Sequence, residues 1–373
     1  MEKKIFKETD RAPRYIAIFI PNVKGGGAER VMVTLANTFA SSGHRVDLLL
    51  GSAEGEYLSE VASAVNIVNF NVRRAVSCLF PLLKYLREKK PDAILSALNY
   101  INIISIIAHK LARSTSRLVV SERNTLVCLK CGWVNKLIYH LISILYPAAN
   151  SVISVTKEGA VELIDAFNLS SEKVYSISNP LEVNRIKELS KSPFSHPWLE
   201  SNQPPIVLAV GRLSPQKNFS ALIQAFSILR SQRLAHLVIL GEGPLRGKLE
   251  SQINDLGLQN DVLMPGFVEN PFKWMARCKI FVLSSDHEGY PNVLIQAMAC
   301  GAKIISTNCP TGPYEILEGG RLGTLVAVGD VVALGAAMIK EIDSNVVPDY
   351  SVKLLENSPQ GISGQYISAI FGN

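Results

Sequence analysis

Long apolar runs are absent from this sequence of 373 residues. The longest, Ile101 to Ala108 and Leu137 to Tyr146, are well short of the about 20 residues that span a bilayer, so we expect no transmembrane helix. Residues 1–21 are charged and contain no apolar core followed by a small-residue cleavage site, unlike a secretory signal. These absences favour a protein that stays in the cytoplasm.

Cysteine is scarce as well, with six residues in the chain, which is too few for a disulfide framework. Cys128 and Cys131 have the Cys-x-x-Cys spacing of half a zinc site or of a redox pair. No second Cys or His pair lies nearby at a compatible spacing, so two reduced thiols beside a helix are the competing interpretation.

Acidic residues are outnumbered in the first half of the chain, where residues 1–180 carry 22 Lys and Arg against 15 Asp and Glu. This half has a net charge of +7 and the remainder −1. Its basic residues are interleaved with apolar helical patterns, as on a surface that binds anionic lipid headgroups, although a solvated basic face looks the same. No nucleic-acid-binding motif accompanies them, so we expect no nucleic-acid partner. The residues concerned are Lys84, Arg87, Lys89, Lys90, Lys110, Arg113, Arg117, Arg123, Lys130 and Lys136.

Short β-branched runs alternate with longer helical patterns, which is typical of a parallel α/β sheet. Seven runs precede Pro180, namely YIAIFIP, VDLLL, NIVNF, AILSA, RLVVS, SVISV and KVYSI. Six more follow Pro204, namely PIVLAV, HLVIL, DVLMP, IFVLS, AKIIS and GTLVA. We predict two Rossmann-like, doubly wound domains with a ligand cleft at the C-terminal ends of their strands.

The predicted first domain is residues 1–180 and the second is residues 205–348. Residues 181–204 are rich in Ser, Pro and charge and are predicted to be a linker that contains a helix. Residues 349–373 end in a predicted helix, GISGQYISAIF, which is a candidate for packing on the first domain.

The loop PNVKGGGAER follows the first predicted strand and opens a helix. Gly25, Gly26 and Gly27 let the backbone approach a ligand closely, and the helix start favours an anionic or strongly polar group. The loop lacks the G-x-G-x-x-G spacing of a dinucleotide site, so nicotinamide binding is weakly supported.

The corresponding loop of the second half is VAVGRLSPQKNF, in which Gly211 ends a strand. Arg212 and Lys217 follow, and two cations at this position suit a diphosphate, although surface solvation is the alternative. The glycines of the next loop, Gly241 and Gly243, are as consistent with architecture as with binding.

A third loop lies in SSDHEGYPNVLIQAMACG, which runs from Ser284 to Gly301. Glu288 precedes a turn, and a helix is predicted to start after Pro291. The first N–H groups of such a helix have no partners within the helix, so they can hold a phosphate. A capped core helix after an ordinary turn is the alternative.

Taken in order, the motifs GGGAER, GRLSPQKN, GEGP, PGFVEN, EGYPNVLIQAMACG and CPTGPYEIL resemble the retaining glycosyltransferases of family 4. These enzymes have the GT-B fold, and the motifs resemble those of bacterial surface-polysaccharide members. The resemblance covers nearly the whole chain. It implies that a nucleotide sugar, commonly a UDP-sugar, binds the C-terminal domain as a substrate, that the acceptor binds the N-terminal domain, and that no cofactor is needed.

The resemblance also implies roles for individual residues. Arg212 and Lys217 would hold the diphosphate, and Glu288 would meet the donor sugar; these three are the candidate catalytic residues. Further donor-binding residues would be Gly26, Gly27, Gly211, Phe267, Gly289, Tyr290, Pro291, Asn292, Val293 and Gln296, with the backbone around Phe267 meeting the base.

Glycosyl transfer builds negative charge on the departing phosphate, which fixed cations and N–H dipoles stabilise. A divalent metal can do the same, but the sequence has no Asp-x-Asp pair, so we predict a site without metal. In retaining members of the family, the acceptor hydroxyl is thought to attack from the face of the leaving group, which takes its proton.

The sequence departs from the family pattern at two positions. Gln296 replaces a glutamate that binds the ribose, and an amide is a weaker acceptor than a carboxylate. No histidine follows the fourth strand, where Asn99 or Asn102 could supply the polar contact. His109 lies about two helical turns later and is expected to be structural.

Glu122 and Arg123 end another predicted strand, either as acceptor-side residues or as an ordinary ion pair.

The main hypothesis is a metal-independent, retaining hexosyltransferase for surface-polysaccharide biosynthesis. It would act on a lipid-linked saccharide while peripherally associated with the inner face of the cell membrane. The alternatives are a non-catalytic nucleotide-sugar-binding subunit and a GT-B epimerase of UDP-sugars.

Overall fold

Each apolar run that the sequence marks as a strand forms one in the computed structural model, which describes residues 12–24, 26–123, 133–200 and 202–372. By their contacts, the described residues divide into two units. The first unit contains the residues up to Pro180 and those from Asn357 onward, and the second contains Leu181–Glu356. Each unit has one sheet.

The strands of both sheets are short and rich in aliphatic residues, as in parallel sheets that helices cover on both faces. Those of the first unit are β1 (Tyr15–Ile20), β2 (Arg45–Leu50), β3 (Val65–Asn69), β4 (Ala93–Ala97), β5 (Arg117–Glu122), β6 (Ser151–Ser154) and β7 (Val174–Ser176). Those of the second are β8 (Ile206–Val210), β9 (His236–Leu240), β10 (Val262–Gly266), β11 (Ile280–Leu283), β12 (Lys303–Thr307) and β13 (Thr324–Val326).

Helices connect most successive strands, and three follow β13. They are α1 (Gly27–Ser41), α2 (Leu79–Lys89), α3 (Asn99–Ala112), α4 (Trp133–Leu145), α5 (Lys157–Phe167), α6 (Val183–Ser190), α7 (Phe219–Arg230), α8 (Arg246–Asp255), α9 (Phe272–Met275), α10 (Asn292–Ala299), α11 (Pro313–Ile316), α12 (Val331–Asp343), α13 (Ser351–Glu356) and α14 (Pro359–Phe371).

Helices cover both faces of the first sheet and build two cores. On one face, α1 buries Leu35 and Phe39 at helical spacing, and Tyr366 of α14 packs its ring 6.5 Å from that of Phe39. On the other face, α2, α3, α4 and α5 pack around Tyr146 and Phe167. In the second unit, α7 and α12 pack closely because Gly335 has no side chain, and a Cβ there would lie 3.0 Å from that of Ile228.

Both sheets are parallel, and each has a point where the strand order reverses. The orders are β3-β2-β1-β4-β5-β6-β7 and β10-β9-β8-β11-β12-β13. At each reversal, the loops that follow two neighbouring strands therefore run in opposite directions. These loops come after β1 and β4 in the first sheet and after β8 and β11 in the second. Ligands of open α/β sheets bind at such points.

Distant contacts assign two segments to their units. Residues 181–204, expected as a linker, belong to the second unit, where Asn270 donates a hydrogen bond to the Leu189 carbonyl and Arg277 donates one to the Ser190 carbonyl. The segment from residue 349 divides, because Lys353 of α13 donates to the Glu315 carbonyl in the second unit and α14 packs in the first. Composition cannot reveal these contacts, which join residues far apart in sequence.

Candidate active site

In the loop after β8, the side chain of Lys217 packs over Gly211. The chain turns through Pro215–Lys217, and Asn218, in the left-handed conformation (φ 44°), caps α7 by accepting a hydrogen bond from the Ala221 N–H. The stem of Lys217 thereby lies over Gly211, where a Cβ would be 3.3 Å from the lysine Cδ and Cε. Glycine at 211 therefore makes room for the lysine.

Hydrogen bonds join this loop to the loop after β11, as the parallel arrangement of neighbouring strands allows. The Ser284 hydroxyl donates to the Lys217 carbonyl at 2.8 Å, and the Gln216 amide donates to the His287 carbonyl at 2.9 Å. The Asn218 amide donates to the Asp286 carboxylate at 2.7 Å. The two loops thus form one surface at the strand-order reversal of the second sheet.

A charged pair lies at the centre of this surface. The Lys217 Nζ donates to the Glu288 Oε1 at 2.5 Å, with side-chain exposures of 18% and 8%. The Ser285 hydroxyl donates to the same oxygen, also at 2.5 Å, and the Thr311 hydroxyl donates to the Glu288 carbonyl. The pair is shielded from solvent, so its charges act on a nearby ligand more strongly than surface charges do.

Helix α10 begins four residues after Glu288, with Pro291 as its N-cap residue. Pro291 makes no side-chain capping hydrogen bond, and the N–H groups of Asn292 and Leu294 donate to the Tyr290 and Pro291 carbonyls. Gly312 (φ +93°) packs beneath the turn, where a Cβ would lie 2.6 Å from Pro291 Cδ. The start of α10 therefore places the positive end of the helix dipole beside the charged pair.

The remaining residues of the predicted turn lie at this helix start. Gly289 is half-buried and Tyr290 is buried, and Asn292 and Val293 open the helix as half-buried residues. Gln296 follows one helical turn after Asn292 and is half-buried.

Arg212 and Phe267 do not join the pair in this structure. Arg212 is exposed, and no described residue forms a hydrogen bond or ion pair with its guanidinium. Phe267 follows β10 and is 80% exposed. Gly241 has an architectural role, because a Cβ there would lie 2.0 Å from the Gly211 carbonyl oxygen.

Sequence reasoning missed three residues beside the charged pair. Ser285 and Thr311 hold Glu288 through hydrogen bonds, and burial, followed by the charge of Glu288, raises the pKa of the Cys309 thiol to about 12. Ser285 lies three residues before Glu288, and this short spacing was the only feature of the sequence that could have indicated the hydrogen bond between them. Thr311 and Cys309 come from the loop after β12, which a local pattern cannot place.

In the first unit, Gly26 is the N-cap of α1 and Gly27 is its first residue. The Glu29 carboxylate folds back over this helix start, since a Cβ on Gly26 would lie 1.9 Å from its Oε2. The positive end of α1 therefore already has a carboxylate beside it. Gly25 lies outside the described residues.

Of the two asparagines after β4, only Asn99 has unused hydrogen-bonding capacity. Its amide nitrogen is buried with no partner among the described residues. Tyr100 follows, and burial, followed by the charge of Glu29, raises the pKa of its hydroxyl. Asn102 is fully buried, where it accepts from Ser96 and donates to the Ser121 carbonyl and the Tyr146 hydroxyl. An amide occupied in this way has a structural role.

Glu122 and Arg123 are both buried and face different partners. The Tyr146 hydroxyl donates to Glu122 at 2.9 Å. The Arg123 guanidinium donates to the Asn179 side chain and, at 2.6 Å, to the Tyr366 hydroxyl. Arg123 thereby joins β5 to the C-terminal helix α14, a contact with a residue 243 positions away. The His109 Nε2–H donates to the Ser116 carbonyl at 2.8 Å, so His109 has a structural role.

Three further expectations concern metals, thiols and membranes. Among residues 12–24, 26–123, 133–200 and 202–372, no group of three His, Cys, Asp or Glu side chains could hold a metal ion. Cys128, Lys130 and Cys131 lie outside these ranges. No described helix combines the length and apolar character needed to cross a bilayer.

Two parallel Rossmann-like sheets, each with a reversal of strand order, have the architecture of the GT-B glycosyltransferases. Residues 25–185 match Glycosyltransferase Family 4, and residues 204–344 match Glycosyl transferases group 1. The chain belongs to this family of glycosyltransferases, as sequence analysis predicted.

Individual proteins agree with this assignment. A Campylobacter jejuni N-acetylgalactosamine-N,N'-diacetylbacillosaminyl-diphospho-undecaprenol 4-alpha-N-acetylgalactosaminyltransferase is 31% identical over 325 residues, which are 84% of this chain and 86% of the relative. The lipopolysaccharide outer core galactosyltransferase WaaB has the same fold, with a TM-score of 0.75, 19% identity and coverage of 95% of this chain and 99% of WaaB. Anabaena HepE, solved with UDP-glucose, gives a TM-score of 0.71 at 20% identity, covering 95% of each chain.

Proposed function

We propose that this protein transfers a sugar from a UDP-sugar to a lipid-linked saccharide, with retention of configuration and without a metal ion. The observation that carries the proposal is the Lys217–Glu288 pair, which is shielded from solvent beside the start of α10. A cation, a carboxylate and the positive end of a helix at one point are the set that a sugar diphosphate needs.

The donor would bind the second unit. Lys217 and the exposed Arg212 would neutralise the diphosphate, and Glu288 would accept hydrogen bonds from hydroxyls of the sugar. Gln296, one turn into α10, would contact the ribose, and the chain around Phe267 would meet the base. HepE, a neighbour of the same fold, was solved with UDP-glucose, which supports a UDP donor.

The reaction would replace one bond to the anomeric carbon by another. The bond from this carbon to the diphosphate oxygen breaks as the acceptor oxygen attacks from the same face. The acceptor proton passes to the departing phosphate, so no protein base is needed. Lys217, Arg212 and the α10 N–H groups stabilise the charge that grows on that phosphate, and they replace the metal ion that other transferases use.

The acceptor would bind the first unit. Asn99 offers an amide with no partner, and Glu29 and Tyr100 lie close enough to influence each other electrostatically. A carboxylate, an amide and a partly exposed aromatic ring suit the hydroxyls and apolar face of a saccharide. The Campylobacter relative acts, by its name, on a diphospho-undecaprenol-linked sugar, which supports a lipid-linked acceptor and a position at the inner face of the membrane.

A transfer assay tests the proposal. Purified protein is incubated with single UDP-sugars, including UDP-N-acetylgalactosamine, with and without an undecaprenyl-diphosphate-linked saccharide. We expect UDP release only when the acceptor is present, and NMR of the product should show the anomeric configuration of the donor. Inverted product would contradict retention, and sugar isomerisation without acceptor would indicate an epimerase. Binding without turnover on any acceptor would indicate a non-catalytic subunit.

A further inference from the structure

The first residue of α8 is an arginine whose guanidinium makes five hydrogen bonds. Arg246 donates to both carboxylate oxygens of Glu242, at 2.6 and 2.9 Å, and to the Glu250 carboxylate at 2.9 Å. Two further N–H groups donate to the Met264 carbonyl, each at 3.3 Å. A guanidinium has five N–H donors in one plane, so these three partners use all of them and fix its position.

The Met264 carbonyl lies at an irregular point of β10. Before Gly266, the register of β10 against β9 shifts by one residue, as in a β-bulge. Gly266 has a φ of +92°, and its carbonyl accepts a hydrogen bond from the Gly241 N–H at 2.8 Å. Phe267 is the first residue after the strand. Arg246 therefore holds β10 just before the turn that exposes Phe267.

Glu242 connects this turn with the loop after β8. A Cβ on Gly266 would lie 2.7 Å from the Glu242 Oε1, so the carboxylate packs directly against this glycine. The Glu242 carbonyl accepts a hydrogen bond from the Leu213 N–H at 2.9 Å, and Leu213 directly follows Arg212. Glu242 therefore contacts the chain beside Phe267 and the chain beside Arg212.

The ion pairs of Arg246 are too exposed to contribute much to stability. Their side-chain exposures are 30% for Arg246, 53% for Glu242 and 52% for Glu250. Solvent screens charges at such positions, and exposed pairs add little to the free energy of unfolding. The cluster is therefore expected to act on the geometry of the neighbouring loops more than on the stability of the unit.

We infer that Arg246 is a positioning residue for the nucleotide of the donor. It fixes Glu242 and the end of β10, and these in turn place Phe267 beside the base and Arg212 beside the diphosphate. The inference rests on the proposed function, which assigns the base and the diphosphate to these two places. Arg246 itself does not touch the donor, so it is not a catalytic residue.

Arg246→Met tests the inference, because it keeps an unbranched apolar side chain and removes the five donors. The Kd of UDP and the KM for the UDP-sugar should rise on the order of tenfold, while kcat and the KM for the acceptor stay unchanged. Arg246→Lys keeps the charge without the planar donor group, so it should restore only part of the affinity for UDP.

Arg233→Met is the matched control. Arg233 donates to the Asp343 carboxylate through two nitrogens, at 3.0 and 3.3 Å, and the two side chains are 48% and 52% exposed. This pair lies in the same unit and joins the segment after α7 to the end of α12. Its loss should leave the Kd of UDP and the KM for the UDP-sugar at their wild-type values.

A double variant separates position from charge. Without Arg246, the Glu242 carboxylate is a negative charge beside the loop that would hold the diphosphate, and Glu242→Gln removes this charge. Glu242→Gln alone should weaken UDP binding. The double variant should bind UDP no better than Arg246→Met, because both changes break the same cluster.

Four results would overturn the inference. They are wild-type affinity for UDP in Arg246→Met, wild-type affinity in the double variant, an equal loss of affinity in Arg233→Met, and a fall in kcat and in acceptor binding along with the loss of UDP affinity. Calorimetric titration of UDP requires no acceptor, so it is independent of transfer. If wild type and Arg246→Met bind UDP equally and both transfer sugar, the transferase proposal stands and the positioning role does not. A wild-type protein that binds no UDP would contradict both.

Discussion

Lys217 and Glu288 are 71 positions apart in sequence, yet their side chains meet at 2.5 Å at the C-terminal ends of β8 and β11. Both are largely buried, so each charge depends on the other. The pair is therefore part of the folded structure as well as of the candidate site, and the two roles can be separated by measurement.

A double-mutant cycle measures the structural role. Lys217→Met leaves the Glu288 carboxylate buried beside Ser285, and Glu288→Gln leaves the ammonium group without its carboxylate. We expect each change to lower the free energy of unfolding by roughly 3 kcal/mol, and the double variant to lose much less than the sum. Urea unfolding at neutral pH measures all four proteins. Additive losses would mean that the two charges do not interact in solution.

A chelator tests the prediction of a metal-independent site. Activity should persist unchanged in excess EDTA, because under the proposal Lys217, Arg212 and the positive end of α10 would stabilise the leaving phosphate. The control is a transferase of known metal dependence in the same buffer. Loss of activity in EDTA, with recovery on addition of manganese or magnesium, would reveal a metal requirement.

His236 makes stability depend on pH. It is buried against Trp198, with ring centroids 3.9 Å apart, and neither ring nitrogen has a partner among the described residues. Burial lowers its pKa below the ordinary 6.5, an effect that Arg230 and His196 strengthen and Asp261 opposes. The unfolded chain therefore binds the proton more tightly, so stability present above pH 6.5 should be lost as the pH falls below it.

A variant isolates this contribution from other titrating groups. His236→Phe keeps an aromatic ring against Trp198 and cannot be protonated. Between pH 7 and pH 5, its melting temperature should fall less than that of wild type. Parallel curves for the two proteins would show that His236 titrates with the same pKa in the folded and unfolded states.

Gln296 tests the placement of the nucleotide. Gln296→Glu should tighten UDP binding several-fold, because a hydrogen bond from a ribose hydroxyl to a carboxylate is stronger by about 1 kcal/mol. Gln296→Leu should weaken UDP binding with little change in stability, since the side chain is half-buried and similar in size. Calorimetric titration of UDP into the three proteins measures their affinities, which should fall in the order Gln296→Glu, wild type, Gln296→Leu. Equal affinity of Gln296→Leu and wild type for UDP would show that residue 296 does not contact the ribose.

The sequence predicted the sheets well because both faces of a parallel strand are buried, which makes each strand a short aliphatic run between helical patterns. It also marked Lys217 and Glu288 as candidates, since each follows such a run in a loop with glycine or proline, and the structure brings the two side chains together. The family pattern added the pairing of these two residues with one ligand.

Residues whose roles depend on distant contacts could not be predicted in this way. Asn102 was a candidate for ligand binding, but its partners lie on β4, β5 and the turn after α4. Arg123 was a candidate for the acceptor side, but its guanidinium binds Tyr366 of α14. A local pattern identifies a polar residue at a strand end and cannot tell whether it faces a ligand or another helix.

The most direct test of the account is the turnover of Lys217→Ala and Arg212→Ala with a UDP-sugar and a lipid-linked acceptor. Lys248→Ala, which removes an exposed lysine from α8 of the same unit, is the matched control. We predict that kcat/KM falls on the order of 10²-fold in each of the first two variants and stays at the wild-type value in the third, with all three folded at the assay temperature. Wild-type kcat/KM in Lys217→Ala and Arg212→Ala would contradict the assignment of these cations to the leaving diphosphate.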